Sequence, residues 1–323
     1  MKAIVQDVYG TADVLELRDI ARPAAGKGEV LVSVRAAGVE QGVWHLMTGL
    51  PYLIRLFGFG LKKPKVPVRG REVAGVVEAV GAGVTRLKAG DEVFGTSEGS
   101  FAEYVCAKES RLAAKPRNLS FEEAAAAPIS GVTALQAVRD AGQVTVGQKV
   151  LVIGAGGGVG SFAVQIAKAF GADVTGVCST GKVELVRSLG ADAVVDYTRE
   201  DFAAAGLLYD VILDTAGNRP LSVLKRALGP RGTLVLVGGE RGGKLTGGFE
   251  RSLAAPLFSL FSRQKFMGLA SKETHLDLEA LASLIEAGSV KPAVDKVFAL
   301  AEAPAAITYL REGRSLGKVV VRI

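Results

Sequence analysis

The chemistry most legible in this sequence is the binding of a pyrophosphate by backbone amides. Residues 150–160 read Val-Leu-Val-Ile-Gly-Ala-Gly-Gly-Gly-Val-Gly, four apolar residues of a buried strand running into five glycines within seven positions. A helix is expected from Ser161 to Phe170 and a second strand over Asp173–Cys178. A strand that ends in a tight glycine turn lets the backbone approach a pyrophosphate, and the helix behind it aims free N–H groups and a positive dipole end at that anion. Glycine spacing is weak evidence alone, and the strand–turn–helix–strand context gives it meaning. Gly154, Gly157, Gly158, Val159 and Gly160 are the candidate contacts.

The end of the second strand addresses which dinucleotide binds. An NAD site places Asp or Glu about 20 residues past the glycine turn, on the ribose hydroxyls. Here the chain reads Cys178-Ser179-Thr180-Gly181-Lys182, with no acid before Glu184. The hydroxyls of Ser179 and Thr180 and the ammonium of Lys182 suit a 2′-phosphate that a carboxylate would repel. NADPH is the expected cofactor; the alternative is that Lys182 merely opens a solvated helix.

The elements that must position these residues fall into two patterns. Up to about residue 125, short β-rich segments alternate with glycine turns: Lys2–Val8, Glu29–Ala37, Val73–Val80, Glu92–Phe94 and Phe101–Ala107. That spacing predicts a small, mainly antiparallel, barrel-like domain. Helices Glu122–Ala127 and Thr133–Ala141 then lead into strand Lys149–Ile153, after which strands and helices alternate as far as Thr233–Val237. This is the pattern of a doubly wound parallel sheet. Helix Leu276–Ala287, strand Asp295–Ala299, helix Ala303–Arg311 and strand Lys318–Arg322 follow, and invite a return to the first domain. The predicted class is α/β, with residues 126–269 as the parallel domain and residues 1–125 and 270–323 as the other.

Composition narrows the function classes. A chain of 323 residues with 49% hydrophobic content has room for about two cored domains. The net charge of +6 is modest, and apart from Lys62-Lys63-Pro64-Lys65 the basic residues are scattered without interleaved aromatics, which argues against nucleic acid. Residues 150–167 are uncharged, yet their glycines break them into strand, turn and helix, so no membrane span is expected. The N-terminal residues carry charge and no apolar stretch typical of a secretory signal. Two cysteines, Cys106 and Cys178, suggest neither a disulfide framework nor a zinc cluster, and point to the cytoplasm.

A set of ordered motifs spans the whole chain: Ala-Ala-Gly-Val at 36–39, Gly-Arg-Glu-Val-Ala-Gly-Val-Val-Glu-Ala-Val-Gly at 70–81, Gly-Asp-Glu-Val-Phe-Gly at 90–95 and Gly-Val-Thr-Ala at 131–134. The glycine turn, Leu-Gly-Ala-Asp at 189–192, Tyr-Asp-Val-Ile-Leu-Asp at 209–214 and Gly-Lys-Val-Val-Val at 317–321 complete it. In these the chain resembles the medium-chain dehydrogenase/reductase superfamily, closest to its zinc-independent quinone-oxidoreductase and reticulon-interacting reductase-like branch. The resemblance implies a GroES-like catalytic domain, completed by the C-terminal residues, beside a Rossmann domain, with the active site in the cleft. Where zinc-dependent relatives carry ligands, this chain has Glu40, Arg71 and Ile129. Arginine cannot ligate zinc, so Lewis-acid alcohol oxidation is not expected. The resemblance also implies that Tyr197 reaches the 2′-phosphate, that Thr133 lies beside the nicotinamide, and that Val237, Gly238 and Gly239 pass close to the cofactor. The plainer readings are a tyrosine packed on a helix surface, a helix N-cap at Thr133 and an ordinary loop at 237–239.

His45 occupies the place of a lysine or tyrosine that, in relatives, points into the substrate cleft. Histidine suits proton transfer near neutral pH; packing beside Trp44 is the alternative. The segment Leu50–Leu61 is unusually apolar for a connection. It is expected to wall an apolar substrate site, with Trp44, Tyr52 and Phe57 as candidate contacts, the alternative being a membrane-touching flap. The expected activity is NADPH-dependent reduction of a small apolar quinone or α,β-unsaturated carbonyl without zinc. A non-catalytic NADPH-binding regulatory protein is the alternative. Relatives commonly form homodimers through the last strand of the Rossmann sheet, here Lys265–Leu269.

Overall fold

The structure, a computed structural model, describes all residues except 205, 240–242 and 261, and no side chains at 57, 249 and 260. The chain divides into two compact units: residues 1–132, 273–286 and 292–323, and residues 133–272 and 287–291.

The second unit is built on a parallel sheet. Its strands lie in the spatial order Ala193–Asp196, Asp173–Cys178, Lys149–Ile153, Tyr209–Asp214, Leu228–Leu236 and Lys265–Gly268. In chain order this is third, second, first, fourth, fifth, sixth, the doubly wound arrangement with its switch point between the first and fourth strands. Val150, Leu151 and Val152 are wholly buried in succession. Such an unbroken apolar run is what a strand covered on both faces requires. Helix Gly158–Ala169 buries Phe162, Ala163, Val164 and Ile166. Leu151, Ile212, Leu234 and Phe266 share one core cluster.

The first unit is mainly antiparallel. Strands Val294–Ala299, Lys318–Arg322, Glu29–Val39, Glu72–Val80, Glu92–Thr96 and Leu112–Ala114 follow one another across its sheet. Glu29–Val39 pairs with Tyr104–Lys108 through residues 29–33 and with Lys318–Arg322 through residues 36–39. Val30, Val32 and Val34 alternate onto one cluster with Val73, Val93, Val105 and Leu112, as the two-residue period of a strand demands. The sequence did not reveal the hairpin of Lys2–Val5 with Glu16–Asp19. The apolar segment read as a connection is partly helical: Arg55–Phe59 forms a wide helical turn.

An ion pair with almost no exposure ties this unit together. Lys318 Nζ donates to Glu72 Oε2 at 2.6 Å and to Ser130 Oγ at 3.0 Å. The Ile129 amide donates to Glu72 Oε1 at 2.8 Å. Burial pushes the Glu72 carboxyl above the ordinary carboxylate range, against the pull of Lys318. Removing one member of such a pair leaves a buried charge uncompensated, which costs about 3–5 kcal/mol. Lys318→Met is therefore expected to lower unfolding free energy in urea by about that amount, and Glu72→Gln/Lys318→Met to recover most of it. A single variant as stable as the parent would contradict this account.

Candidate cofactor turn and substrate cavity

The glycine turn sits at the C-terminal end of the first parallel strand. Gly154 has φ +84°, a left-handed conformation open to glycine at little cost. The amides of Gly154 and Ala155 both donate to Val177 O at 3.0 Å, anchoring the turn on the neighbouring strand. A Cβ at Gly160 would lie 2.1 Å from Gly154 O, so only glycine lets the helix pack this closely on the turn. The helix starts at Gly158, three residues before the Ser161 expected from sequence. The amides of Gly158, Val159 and Gly160 thus fall in its first turn, where no intrahelical partner exists. The turn after the fourth strand closes in beside them. Thr215 Oγ1 donates to Ile153 O at 2.7 Å, and a Cβ at Gly238 would lie 2.2 Å from Thr215 O. The Gly154, Thr215 and Val237–Gly239 turns therefore form one contiguous rim. Buried Asp214 braces it, accepting from the Gly217 amide at 2.9 Å and from Arg251 Nη2 at 3.0 Å. Burial pushes its carboxyl upward while these donors oppose the shift. Thr215 and Asp214 were not singled out from sequence as site residues, because their role depends on the strand beside them.

At the end of the second strand the residues separate. The Lys182 side chain lies across the glycine turn: a Cβ at Gly156 would come 2.8 Å from Lys182 Cβ and Cδ. Ser179 makes no side-chain cap to the short helical turn that follows it. Tyr197 is half exposed, its amide donating to Cys178 O at 3.1 Å. Thr180 departs from expectation. Its hydroxyl donates to Asp196 Oδ2 at 2.6 Å, and Thr198 Oγ1 donates to Asp196 Oδ1 at 2.7 Å. A hydroxyl has one proton, so Thr180 braces two strand ends rather than offering a donor to a phosphate. Asp196, in register with Cys178 on the adjoining strand, is held below the usual carboxylate range by the Thr180 hydroxyl. Thr133 is not an N-cap, being the sixth residue of helix Pro128–Gln136.

The first unit holds a cavity of about 360 Å³, within the range of small-molecule sites. Val43, Leu46, Phe59, Val66 and Val68 form its apolar wall. Its polar lining is unexpectedly cationic: Lys65, Arg69, Arg71 and Arg111, with Thr96, Ser97 and one carboxylate, Glu98. Backbone pairing sets these groups together, the Ser97 amide donating to Arg71 O at 2.8 Å and the Gly99 amide to Gly70 O at 2.9 Å. Arg69 is 4% exposed. Its Nε and the Thr96 and Ser97 hydroxyls are buried without hydrogen-bond partners. Burial pushes the Arg69 guanidinium down to about 10, which leaves it charged at neutral pH. Arg71 stands between two carboxylates, 3.8 Å from Glu40 and 3.9 Å from Glu273. Glu40 also caps helix Gln41–Thr48 through the Gly42 amide.

The aromatic contacts expected for substrate are placed otherwise. Trp44 packs against the core cluster that contains Met47 and Ile307, and the Arg311 guanidinium lies 4.1 Å from its ring centroid. Tyr52 is 48% exposed, with Arg55 stacked 4.8 Å from its centroid. Neither lines the cavity, and the Phe57 side chain lies outside the described residues. The segment Leu50–Leu61 instead contributes Gly58 and Phe59. His45 Nδ1 is 2.7 Å from Leu50 O, and its ring meets Trp44 edge-on at 5.1 Å. A carbonyl partner requires a proton on Nδ1, so this ring nitrogen is spent on the Leu50 carbonyl just past the end of the helix.

Comparison with known proteins agrees with these two architectures. A family model described as alcohol dehydrogenase GroES-like domain matches residues 26–117, and one described as zinc-binding dehydrogenase matches residues 189–321. A 2-methylene-furan-3-one reductase of Solanum lycopersicum is 36% identical, over 99% of this chain and 79% of its own length. An NADPH-dependent alkenal/one oxidoreductase, chloroplastic, of Arabidopsis thaliana is 35% identical over the same shares. The solved quinone oxidoreductase of Coxiella burnetii superimposes with a TM-score of 0.84 at 28% identity, covering 100% of this chain and 99% of its own. The chain belongs to the medium-chain dehydrogenase/reductase superfamily, in its quinone-oxidoreductase branch. It is an oxidoreductase fold of a GroES-like unit and a Rossmann unit.

The placement of His45 generates a prediction. His45→Phe loses the hydrogen bond to Leu50 and is expected to lower stability by about 1 kcal/mol. Its kcat is expected to fall by far less than the roughly 10²-fold that follows loss of a general acid. Thermal melts and steady-state rates on one preparation check both halves; a 10²-fold loss with unchanged stability would restore the proton-donor role.

Proposed function

We propose that this chain is an NADPH-dependent reductase of quinones or α,β-unsaturated carbonyls that works without zinc. The observation that carries the reading is the glycine turn, placed at the switch point of a doubly wound sheet in a chain whose relatives are named as reductases of such acceptors. A bound nicotinamide supplies the hydride. The residues present suit that cofactor: first-turn amides at Gly158, Val159 and Gly160 for the pyrophosphate, and Ser179 and Lys182 for the 2′-phosphate. Thr133, Tyr197, Val237, Gly238 and Gly239 complete the proposed set on the strength of the family resemblance. The cavity of the first unit is the proposed acceptor site. Its Thr96 and Ser97 hydroxyls are unengaged donors able to hydrogen-bond a polar group of the acceptor and so orient it. Water supplies the closing proton, since His45 directs its own to Leu50.

The zinc-free reading rests on what stands at the ligand positions. Arg71, a cation without a lone pair, lies between Glu40 and Glu273. Among the described residues no group of three or more His, Cys, Asp or Glu side chains is arranged to hold a metal. No described helix is long and apolar enough to cross a membrane. Two unpaired cysteines, Cys106 half-buried and Cys178 buried, accord with the cytoplasm.

NADPH is expected to bind at least about tenfold tighter than NADH, equivalent to about 1.4 kcal/mol. Lys182→Ala should shrink that ratio by weakening NADPH alone, measured by fluorescence titration. Oxidation of NADPH by a quinone and enone panel should continue in the presence of chelator. Equal affinity for the two cofactors would overturn the 2′-phosphate assignment, and binding of NADPH without oxidation by any acceptor would overturn the reductase reading.

A homodimer through strand Lys265–Gly268 is also proposed. That strand is an edge of the parallel sheet, and on the neighbouring helix Leu253, Leu257 and Phe258 are exposed. Pairing two such edges removes an aggregation hazard. Light scattering at micromolar concentration should give twice the chain mass, and a monomer would contradict the proposal.

A further inference from the structure

We propose that the cavity of the first unit selects acceptors that carry a carboxylate, with Arg69 as the anchor and Thr96 and Ser97 as accompanying donors. The inference rests on that cavity being the acceptor site of the reductase proposed above. Among the described residues, no ion pair or side-chain hydrogen bond reaches the Arg69 guanidinium, although Arg69 is only 4% exposed. A buried cation in that state is costly, and it persists here beside two buried hydroxyls that also lack partners. All three line the same cavity. Such a set is unsatisfied in the free protein and becomes satisfied by an anion that accepts several hydrogen bonds.

The charges around it favour the same ligand. Lys65, Arg71 and Arg111 share the lining with Arg69, against the single exposed carboxylate of Glu98. Arg71 is partly offset by Glu40 and Glu273 within 4 Å, whereas Arg69 makes no ion pair and feels Glu98 only at longer range. A quinone or enone without an anionic group forms no ion pair with this cation in the bound ground state and would leave it desolvated. A planar carboxylate matches a guanidinium edge with charge-assisted bonds, and its remaining lone pairs fit the two hydroxyl donors. A single negative charge is preferred to a phosphate dianion because Glu98 faces the same cavity. The apolar wall of Val43, Leu46 and Val68 accepts the carbon skeleton.

The test uses 4-oxopent-2-enoate and its methyl ester, two enones that differ in charge. The acid is expected to show kcat/KM at least about tenfold above the ester with NADPH, the scale of one charged hydrogen bond. Arg69→Met should bring the ratio to near one, Arg69→Lys should retain part of it, and Thr96→Val should reduce it. Because Arg69 is unpaired, Arg69→Met should melt no lower than the parent, unlike a residue with a structural role. Calorimetry with the saturated acid 4-oxopentanoate reads binding independently of turnover. An ester reduced as well as the acid, or an Arg69→Met variant that slows both equally, overturns the carboxylate inference and leaves the reductase reading standing. Arg69-dependent binding of 4-oxopentanoate with neither enone reduced supports the anion site while the reductase reading fails. Absence of both binding and reduction overturns the two together.

Discussion

The first unit depends on a carboxylate from which water is excluded. Glu72 has no exposure, and its ammonium partner Lys318 comes from a strand 246 residues later. An ionised carboxylate in that setting is tolerable only with its lone pairs filled, and Lys318 together with the Ile129 amide fills them. This brings the terminal strand, the central hairpin and the start of helix Pro128–Gln136 to one point. It also fixes the strand on which Glu72 sits in register with Thr96. That register sets Arg69, Gly70 and Arg71 against Ser97, Gly99 and Phe101. The cavity lining follows from it.

Two buried charges three residues apart are thus treated in opposite ways. Glu72 is saturated by protein donors and holds the fold, whereas Arg69 is left without a protein partner at the wall of a cavity. Buried polar groups in folded proteins are overwhelmingly paired, and an unsatisfied cation beside two unsatisfied hydroxyls is the set that the proposed carboxylate would satisfy. At the glycine turn of the second unit the open groups are the first-turn amides of a helix, whose exposure is a consequence of helix geometry itself.

Much of the fold was legible because its signals are local. Apolar runs of strand length, glycine-rich turns and helical periodicity recur along the chain with little regard to distant contacts. The first four parallel strands from Lys149 onward and the C-terminal elements from Ala303 lie where those patterns place them, whereas the fifth strand begins at Leu228, five residues before the expected Thr233. Errors collected where a local preference competed with a neighbour. Thr133 reads as a cap by type, but Pro128 opens the helix earlier, at a position where a missing amide costs nothing. Residues 55–59 read as loop because their apolar character lacks a regular period, and they coil nevertheless, with Tyr9 Oη donating to Gly60 O at 2.6 Å.

What the sequence determined by itself is the part of the site made of backbone: the glycine turn, its strand and its helix, all within about twenty consecutive residues. What only tertiary structure decided is where side chains spend their hydrogen bonds. The Thr180 proton goes to Asp196 on the next strand, Trp44 turns to the core under Arg311, and His45 closes on the Leu50 carbonyl. Arg69, Thr96 and Ser97 form a cationic cavity only because antiparallel pairing brings residues about thirty positions apart to one wall. A residue type states which bonds a side chain can make; the partner is chosen by register and packing, which no short stretch of sequence contains.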